Sequence, residues 1–447
     1  MKDKTKNRML IVAFSQIQQY PKDQLISALV DVEEIIILSP YDFVDSFRVR
    51  RIIKKTIFFW KSYDSSGLWV TADFLKEHLK SSFGIDALVI KPNLIDLFKL
   101  GVVELKSAYT DAKLIDSICS GRQSSIKIQG IESTGFILDS LLRFYKYKPT
   151  KKNLINTLKG FRFLLLIKIY NQWLENFLLE TQRIESILIN HTVYMESGWV
   201  ATYLYEKYGT IIKHCQSIQK KLAYPKSREQ WFEAELNNSN QAVISSETGK
   251  PLNLNWYKEY SIANMPDLRK YELDTSYYLI AMHAFLDANS IHGEPQNIFQ
   301  SYYNWVSYTL QVARNNKEKT YVFRIHPDSH DFYQDDLLII KDLFSNLPEN
   351  IILQDPRKEK FIINKGGRIP VVVTFKGSIA MEMACSGIKA VTVGKPYCPD
   401  GTYILPDNLK HYESLLSGEL NKEQFLLTDE YIRQALRFKK AYAGLMK

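Results

Sequence analysis

The sequence predicts an α/β protein of two domains, each a parallel sheet covered by helices. Short apolar runs rich in β-branched residues recur along the chain, with longer amphipathic segments between them, which is the alternation that builds parallel sheets. The 447 residues exceed what one hydrophobic core usually supports. With 45% hydrophobic and 24% charged residues and no low-complexity tract, the composition is that of a globular protein.

Met9 to Phe14 (MLIVAF) reads as the first strand. The basic run MKDKTKNR precedes it, but six apolar residues are too few for a signal-peptide core and no small-residue cleavage site follows. Further strands are expected at Glu34–Leu38, Asp86–Ile90 and Ser186–Ile189. From Lys151 to Thr181 the chain reads as a helix rich in Leu, Phe and Tyr. Its greasiest part, Phe161 to Tyr170, is interrupted by Arg162 and Lys168 and is too short to span a membrane, so it is a buried or an interfacial helix. Residues 225 to 270 are polar and carry Pro225, Pro251 and Pro266, which places the interdomain connection near their end. The expected domains are therefore 1–268 and 269–428, with a final helix over 429–447. No internal repeat of solenoid or propeller length occurs.

The second half is more regular. A strand at Tyr277–Phe285 is followed by a helix whose Phe299, Tyr302, Trp305, Val306, Thr309 and Val312 or Ala313 keep the spacing of one buried face. A strand at Tyr321–Ile325 ends at His326-Pro327. Then come a helix around Asp335–Phe344, strands at Ile351–Leu353 and Val371–Thr374, a helix from Ser378 and a strand at Ala390–Val393. Such an open, doubly wound sheet binds ligands at the carboxyl ends of its strands.

The formal charge of +9 favours anionic partners, but it is modest for this length and does not by itself indicate nucleic acid. The basic runs are short and the aromatics fall at core spacing, which argues against a nucleic-acid module. Cys119, Cys215, Cys385 and Cys398 lie far apart with no CxxC pair, so neither a zinc site nor a disulfide framework is expected, and a reducing cytoplasm is the simplest home.

The strongest local signal is residues 371 to 387, VVVTFKGSIAMEMACSG, an apolar strand running into Lys376-Gly377-Ser378 and a helix. Gly377 lets a ligand approach the backbone, Ser378 can cap the helix, and the first-turn N–H groups face an anion there. Glu382, one turn on, can accept hydrogen bonds from ribose hydroxyls. An ordinary strand–turn–helix with a capping serine explains this segment equally well. Arg324-Ile325-His326-Pro327 is the second signal: His326 at a strand end can donate to a phosphate oxygen and assist a leaving group. His330 follows, but Pro327 interrupts the helix that a zinc pair needs, so no metal site is expected.

The third cluster, residues 187 to 209, is again strand, loop and helix. His191, Tyr194 and Glu196 lie where an acceptor would meet the donor, with Glu196 the preferred general base. Glu196 could equally serve only to complement the helix dipole. Asp139 and Arg143 stand at helical spacing in residues 128 to 145; such pairs are mostly surface ion pairs, and Asp139 is a reserve base. The basic runs at 48–55 and 146–153 could face an anionic membrane, although solvated faces explain them more simply.

The chain resembles the bacterial capsule and surface-polysaccharide glycosyltransferases, including the Kdo transferases of capsule assembly and, more distantly, bacterial sialyltransferases. The resemblance rests on His326-Pro327, on Gly377-Ser378 with Glu382 and Gly387, and on residues 391–403 (VTVGKPYCPDGTY). It extends to residues 283–293 (HAFLDANSIHG) and 190–200 (NHTVYMESGWV). It implies a GT-B architecture: two Rossmann-like domains with parallel sheets facing across a cleft, donor nucleotide in the C-terminal domain, and a final helix, Asp429–Tyr442, crossing back to the first. In related enzymes that use CMP-activated sugars, an HP motif and a serine motif hold the phosphate, which maps onto His326, Pro327 and Ser378. Lys376 and Arg324 would stabilise the leaving phosphate, without a catalytic metal or a cofactor other than the nucleotide-sugar substrate. The paired serine and the acidic catalytic motif of the sialyltransferases have no clear counterpart.

The resemblance thus implies transfer of a sugar, such as Kdo or another nonulosonate from a CMP-sugar, to a surface glycan or lipid-linked acceptor at the cytoplasmic side of a membrane. Two other functions fit the same residues: a teichoic-acid-type CDP-polyol phosphotransferase, and a silent nucleotide-binding scaffold in a polysaccharide assembly complex.

Overall fold

The computed structural model describes residues 7–12, 25, 29, 31–39, 71–91, 94–119, 125–145, 154–180, 184–189, 194–214, 221–222, 268–287, 298–299, 301–331, 334–355, 368–396 and 398–445. The chain divides into two compact units, Met1–Trp231 and Phe232–Lys447. The polar stretch expected to connect the domains, 225 to 270, lies outside the described residues up to Leu268.

In the first unit, β1 (Arg8–Val12), β2 (Glu34–Leu38) and β3 (Leu88–Ile90) are followed by β6 (Ser186–Ile189), β7 (Ile211–His214) and β8 (Lys221–Leu222) in one sheet. Between β3 and β6 the small hairpin of β4 (Lys127–Ile128) and β5 (Ile131–Glu132) stands apart. The helices are α1 (Ala72–Phe83), α2 (Leu94–Cys119), α3 (Thr134–Tyr145), α4 (Leu154–Glu180) and α5 (Val200–Tyr208). The sheet order is β3-β2-β1-β6-β7-β8, with only β8 antiparallel. β1 is an uninterrupted apolar run because both of its faces are covered: Met9, Leu10, Ile11 and Val12 are wholly buried.

In the second unit, β9 (Glu272–Ala281), β10 (Thr320–Arg324), β11 (Ile351–Gln354), β12 (Arg368–Thr374) and β13 (Val391–Thr392) form a wholly parallel sheet ordered β11-β10-β9-β12-β13. Its helices are α6 (Tyr302–Asn315), the short α7 (Asp328–Asp331), α8 (Gln334–Leu343), α9 (Ile379–Cys385), α10 (Leu409–Ser417) and α11 (Asp429–Leu445). Ser301 opens α6 in extended backbone and accepts from Asn304 N–H at 3.1 Å. The face of α6 expected to be apolar is the buried one, with Tyr302, Trp305, Val306, Thr309, Val312 and Ala313 turned inward. Polar groups on that face are bonded within the core: Trp305 Nε1 donates to Tyr412 Oη at 2.7 Å and Thr309 Oγ1 donates to Trp305 O at 2.7 Å. The last helix, α11, packs on α9 of its own unit, and Asp429 in its first turn pairs with Arg269 at 2.7 Å.

Both sheets place their first five strands in the order 3-2-1-4-5 and are compatible with two Rossmann-like domains. In that order the first and fourth strands lie side by side, with chain connections leaving in opposite directions, so a crevice opens beyond their carboxyl ends. β9 and β12 frame it in the second unit. In the first unit β1 and β6 do so, although residues 13–24 and 190–193, which follow them, lie outside the described residues. Among the described residues no helix is long and apolar enough to cross a membrane.

The strand expected at Tyr277–Phe285 runs from Glu272 to Ala281. Its first half is amphiphilic and pairs with β12 up to a register shift between Pro370 and Val371. The apolar residues Met282, Ala284, Phe285 and Leu286 are buried without being strand, packed in the loop that closes over the sheet's end.

Candidate functional site

The carboxyl ends of β9, β10 and β12 carry the polar residues the sequence singled out, and one more. β10 ends at Arg324, and two residues on is His326, followed by Pro327 and the single turn of α7. β9 is followed by Met282, whose N–H donates to Arg324 O at 3.0 Å and so continues the pairing past the sheet. His283 comes next. Its ring stacks on Tyr302 of α6, with centroids 4.1 Å apart and planes 8° from parallel, and on His326 at 5.1 Å and 18°. The three rings form one pile at the strand ends.

His326 Nδ1 accepts from the backbone N–H of Asp328 at 3.2 Å. That fixes the neutral tautomer: the proton sits on Nε2, which is left as the donor. Burial holds His326 below the usual imidazole range, opposed by the carboxylates of Asp328 and Asp287. His283 is pushed down to about 3, first by burial, then by His326, with Lys376 adding to the effect and Asp287 opposing it. Its Nδ1 is buried without a hydrogen-bond partner and lies 3.9 Å from Asp287 Oδ2, beyond bonding distance. Both shifts favour the neutral imidazole near neutral pH.

Asp336, the wholly buried acid of α8, ties the loops together. It accepts from Phe285 N–H at 2.9 Å, Leu286 N–H at 3.2 Å and Ser329 Oγ–H at 3.0 Å. The loop after β9 and the turn after β10 are therefore pinned to one carboxylate. Burial raises Asp336 to about 7 in spite of its three donors.

The third strand end is β12. Thr374 Oγ1 donates to Ala281 O at 3.2 Å and accepts from Gly377 N–H at 3.3 Å, which bends the chain sharply through Phe375-Lys376-Gly377. A Cβ at Gly377 would meet Thr374 Oγ1 at 2.8 Å, so close approach, and not left-handed backbone, reserves this position for glycine. Lys376 is half-buried and near enough to His283 for its charge to be felt there.

Ser378 departs from expectation. It occupies the cap position of α9 but has helical backbone, φ −57° and ψ −20°, and makes no side-chain cap bond. A capping hydroxyl needs extended backbone to reach the N–H two or three residues on. Ser378 is exposed, and its hydroxyl is left over from capping. Glu382 is half-buried one turn later, its N–H bonded to Ser378 O at 3.1 Å.

In the first unit, Tyr194 and Glu196 stand at one turn that is bonded to α3, the helix of Asp139. His191 lies outside the described residues. Tyr194 is buried and accepts at its carbonyl from the N–H groups of Ser197, Gly198 and Trp199, closing the π turn Met195–Trp199 that holds Glu196. Met195 N–H donates to Ser140 Oγ of α3 at 3.0 Å, and Trp199 Nε1 donates to Ser133 Oγ at 3.0 Å, so this turn is fastened on two sides. Asp139, expected in a surface pair with Arg143, is wholly buried on α3, because that face of the helix meets the unit's interior.

Of the site, His283, Tyr302, Thr374 and Asp336 escaped sequence reasoning in these roles. His283 stood inside an apolar stretch that reads as continuous strand, and Asp336 reads as an ordinary helix acid. Among the described residues no group of three or more His, Cys, Asp or Glu is arranged to hold a metal ion. No protein-family model matches the chain, and no curated protein sequence is significantly similar to it.

Proposed function

We propose that the chain is a nucleotide-sugar-dependent glycosyltransferase of the GT-B type, acting on a surface glycan or lipid-linked acceptor from a CMP-linked donor such as Kdo or another nonulosonate. The observation that carries this reading is the convergence of His283, His326 and the Lys376-Gly377-Ser378 bend at the ends of β9, β10 and β12, where an open α/β sheet takes its ligand. His326, with its proton on Nε2, donates to a phosphate oxygen of the donor, and the Ser378 hydroxyl, unused in capping, is available as a further donor. As the sugar–phosphate bond breaks, negative charge grows on the departing phosphate. Lys376, Arg324 and His326 stabilise that charge more than the ground state, which is what lowers the barrier. The acceptor oxygen bonds to the anomeric carbon and its proton passes to Glu196, carried on the π turn of the first unit.

Thermal-shift titration with CMP, CDP, UDP and GDP tests the reading. A nucleotide at a hundred times its dissociation constant adds about 2.7 kcal/mol, which a melting curve registers readily. CMP should stabilise the wild type while His326→Ala and Ser378→Ala lose the effect. Stabilisation by UDP or GDP in place of CMP keeps the transferase and replaces the donor. Transfer of phosphorus to product identifies a CDP-polyol phosphotransferase, and no nucleotide binding at all leaves a scaffold.

A further inference from the structure

α2 is held to the first unit by small and apolar residues on one side only. Gly101 and Ile169 of α4 lie so close that a Cβ at Gly101 would come within 3.3 Å of the Ile169 side chain. Ala108, Ala112 and Ile115 are buried on the same side. Lys168 of α4 adds a polar clasp, bonding Ser107 Oγ at 2.6 Å and Asp111 at 2.8 Å.

The side next to it, about 80° round the helix, is apolar and uncovered. Phe98, Val102, Leu105 and Tyr109 are 74%, 63%, 51% and 52% exposed. Their spacing of four, three and four residues sets them in one stripe, within about 60° of arc on a helix of about 3.6 residues per turn. Lys99, Lys106 and Lys113, seven residues apart and all exposed, form a row alongside it. Lys113 Nζ lies 4.3 Å from the centre of the Tyr109 ring. Among the described side chains of α2, no exposed one is acidic. Scattered exposed apolar residues are ordinary, but a continuous stripe beside a row of one charge is not.

We infer that this face of α2 docks on an anionic lipid bilayer, the apolar stripe entering the headgroup boundary and the three lysines pairing with lipid phosphates. The charge row decides between occupants. A second copy would bring lysines against lysines with no exposed carboxylate among the described side chains of the helix to answer them, whereas an anionic surface complements the whole row. The arrangement is that of a helix lying in the plane of the interface: apolar residues on one flank and basic ones at its margin. This inference stands apart from the nucleotide site and holds whatever reaction that site performs.

The test uses the purified full chain with vesicles of phosphatidylcholine alone or containing about one third phosphatidylglycerol, read by co-sedimentation. The chain should sediment with the anionic vesicles, less at high salt, and only weakly with neutral ones. The triple variant Lys99→Glu, Lys106→Glu, Lys113→Glu and the triple variant Phe98→Ser, Val102→Ser, Leu105→Ser should each lose binding by more than about tenfold, with wild-type circular dichroism and melting. Wild-type binding by both variants overturns the inference, and so does failure of the wild type to sediment. Self-association in analytical ultracentrifugation that the Phe98 triple variant abolishes overturns it in favour of a second copy.

Discussion

His283 and His326 lie ring on ring, 5.1 Å between centroids and 18° from parallel, just past the ends of neighbouring strands. Two protonated imidazoles at that distance repel by about 3 kcal/mol at an effective dielectric constant near 20, and burial adds to the cost. Repulsion and burial together therefore hold the pair in its neutral form.

A stability measurement follows from the sign of that shift. His283 titrates near 3 in the folded chain and near 6.5 as a free imidazole. Between those values the unfolded chain binds more protons, so the contribution is complete above pH 6.5 and is lost as pH falls towards 3. At pH 5 the loss reaches about 2 kcal/mol, from about 1.4 kcal/mol per pH unit below 6.5. His283→Phe keeps the stack on Tyr302 without a titrating group. Hydrogen exchange of the β9 and β12 core amides should show this variant weakening less than wild type between pH 7.5 and pH 5; an unchanged pH dependence would contradict the neutral pair.

Asp336 runs the other way. Its folded value is raised to about 7 from 3.8, so its contribution is complete below pH 3.8 and is lost as pH rises through 7. Asp336→Asn imitates the protonated acid and should match wild type at low pH and surpass it as pH rises towards 7.5. Asp336→Ala strands two backbone N–H groups and the Ser329 hydroxyl at once and should cost about 3–5 kcal/mol, read by urea unfolding of the second unit.

These residues also mark how much the sequence disclosed. Strand-to-His326-Pro327 and the Gly377-Ser378 bend were legible because a parallel sheet sets its ligand groups at strand ends, and strand ends show in the sequence as the point where an apolar run meets Gly, Pro or a lone polar residue. The face of α6 was legible from its helical period. His283 was not, because the loop after β9 is as apolar as the strand: Phe285 and Leu286 are buried by closing over the sheet, and hydropathy cannot separate that from pairing in it. The reach of Asp336 to backbone 51 residues away is a tertiary bond with no local trace. Ser378 shows the converse case, where residue type fitted a cap but the backbone did not adopt one.

Gly377 makes a sharper test because its reason is steric. Gly377→Ala puts a Cβ 2.8 Å from Thr374 Oγ1 and must displace the hydroxyl that joins the bend to Ala281 O. Overpacking of this kind costs about 1–3 kcal/mol. The variant should melt lower and, in the proposed function, bind nucleotide more weakly. Adding Thr374→Ala removes the clash, so the double variant should be less destabilised than the sum of the two single changes; additive losses would show that the contact is not the cause.

The two acids offered as the general base separate by where they lie. Asp139 is wholly buried on α3, so an acceptor hydroxyl in solution has no path to it without opening the unit. Glu196 is borne on a turn fastened through Ser140 and Ser133, which fixes its backbone. If the chain transfers sugar as proposed, Glu196→Gln should lower turnover by about a hundredfold to ten-thousandfold while nucleotide still shifts the melting curve of the second unit as in wild type. Asp139→Asn should instead lower the melting temperature of the first unit, by about 1–3 kcal/mol of stability, and leave turnover per folded molecule unchanged. The reverse pattern, a stable but inactive Asp139→Asn beside an active Glu196→Gln, would move the base to α3 and require that the unit open during each cycle.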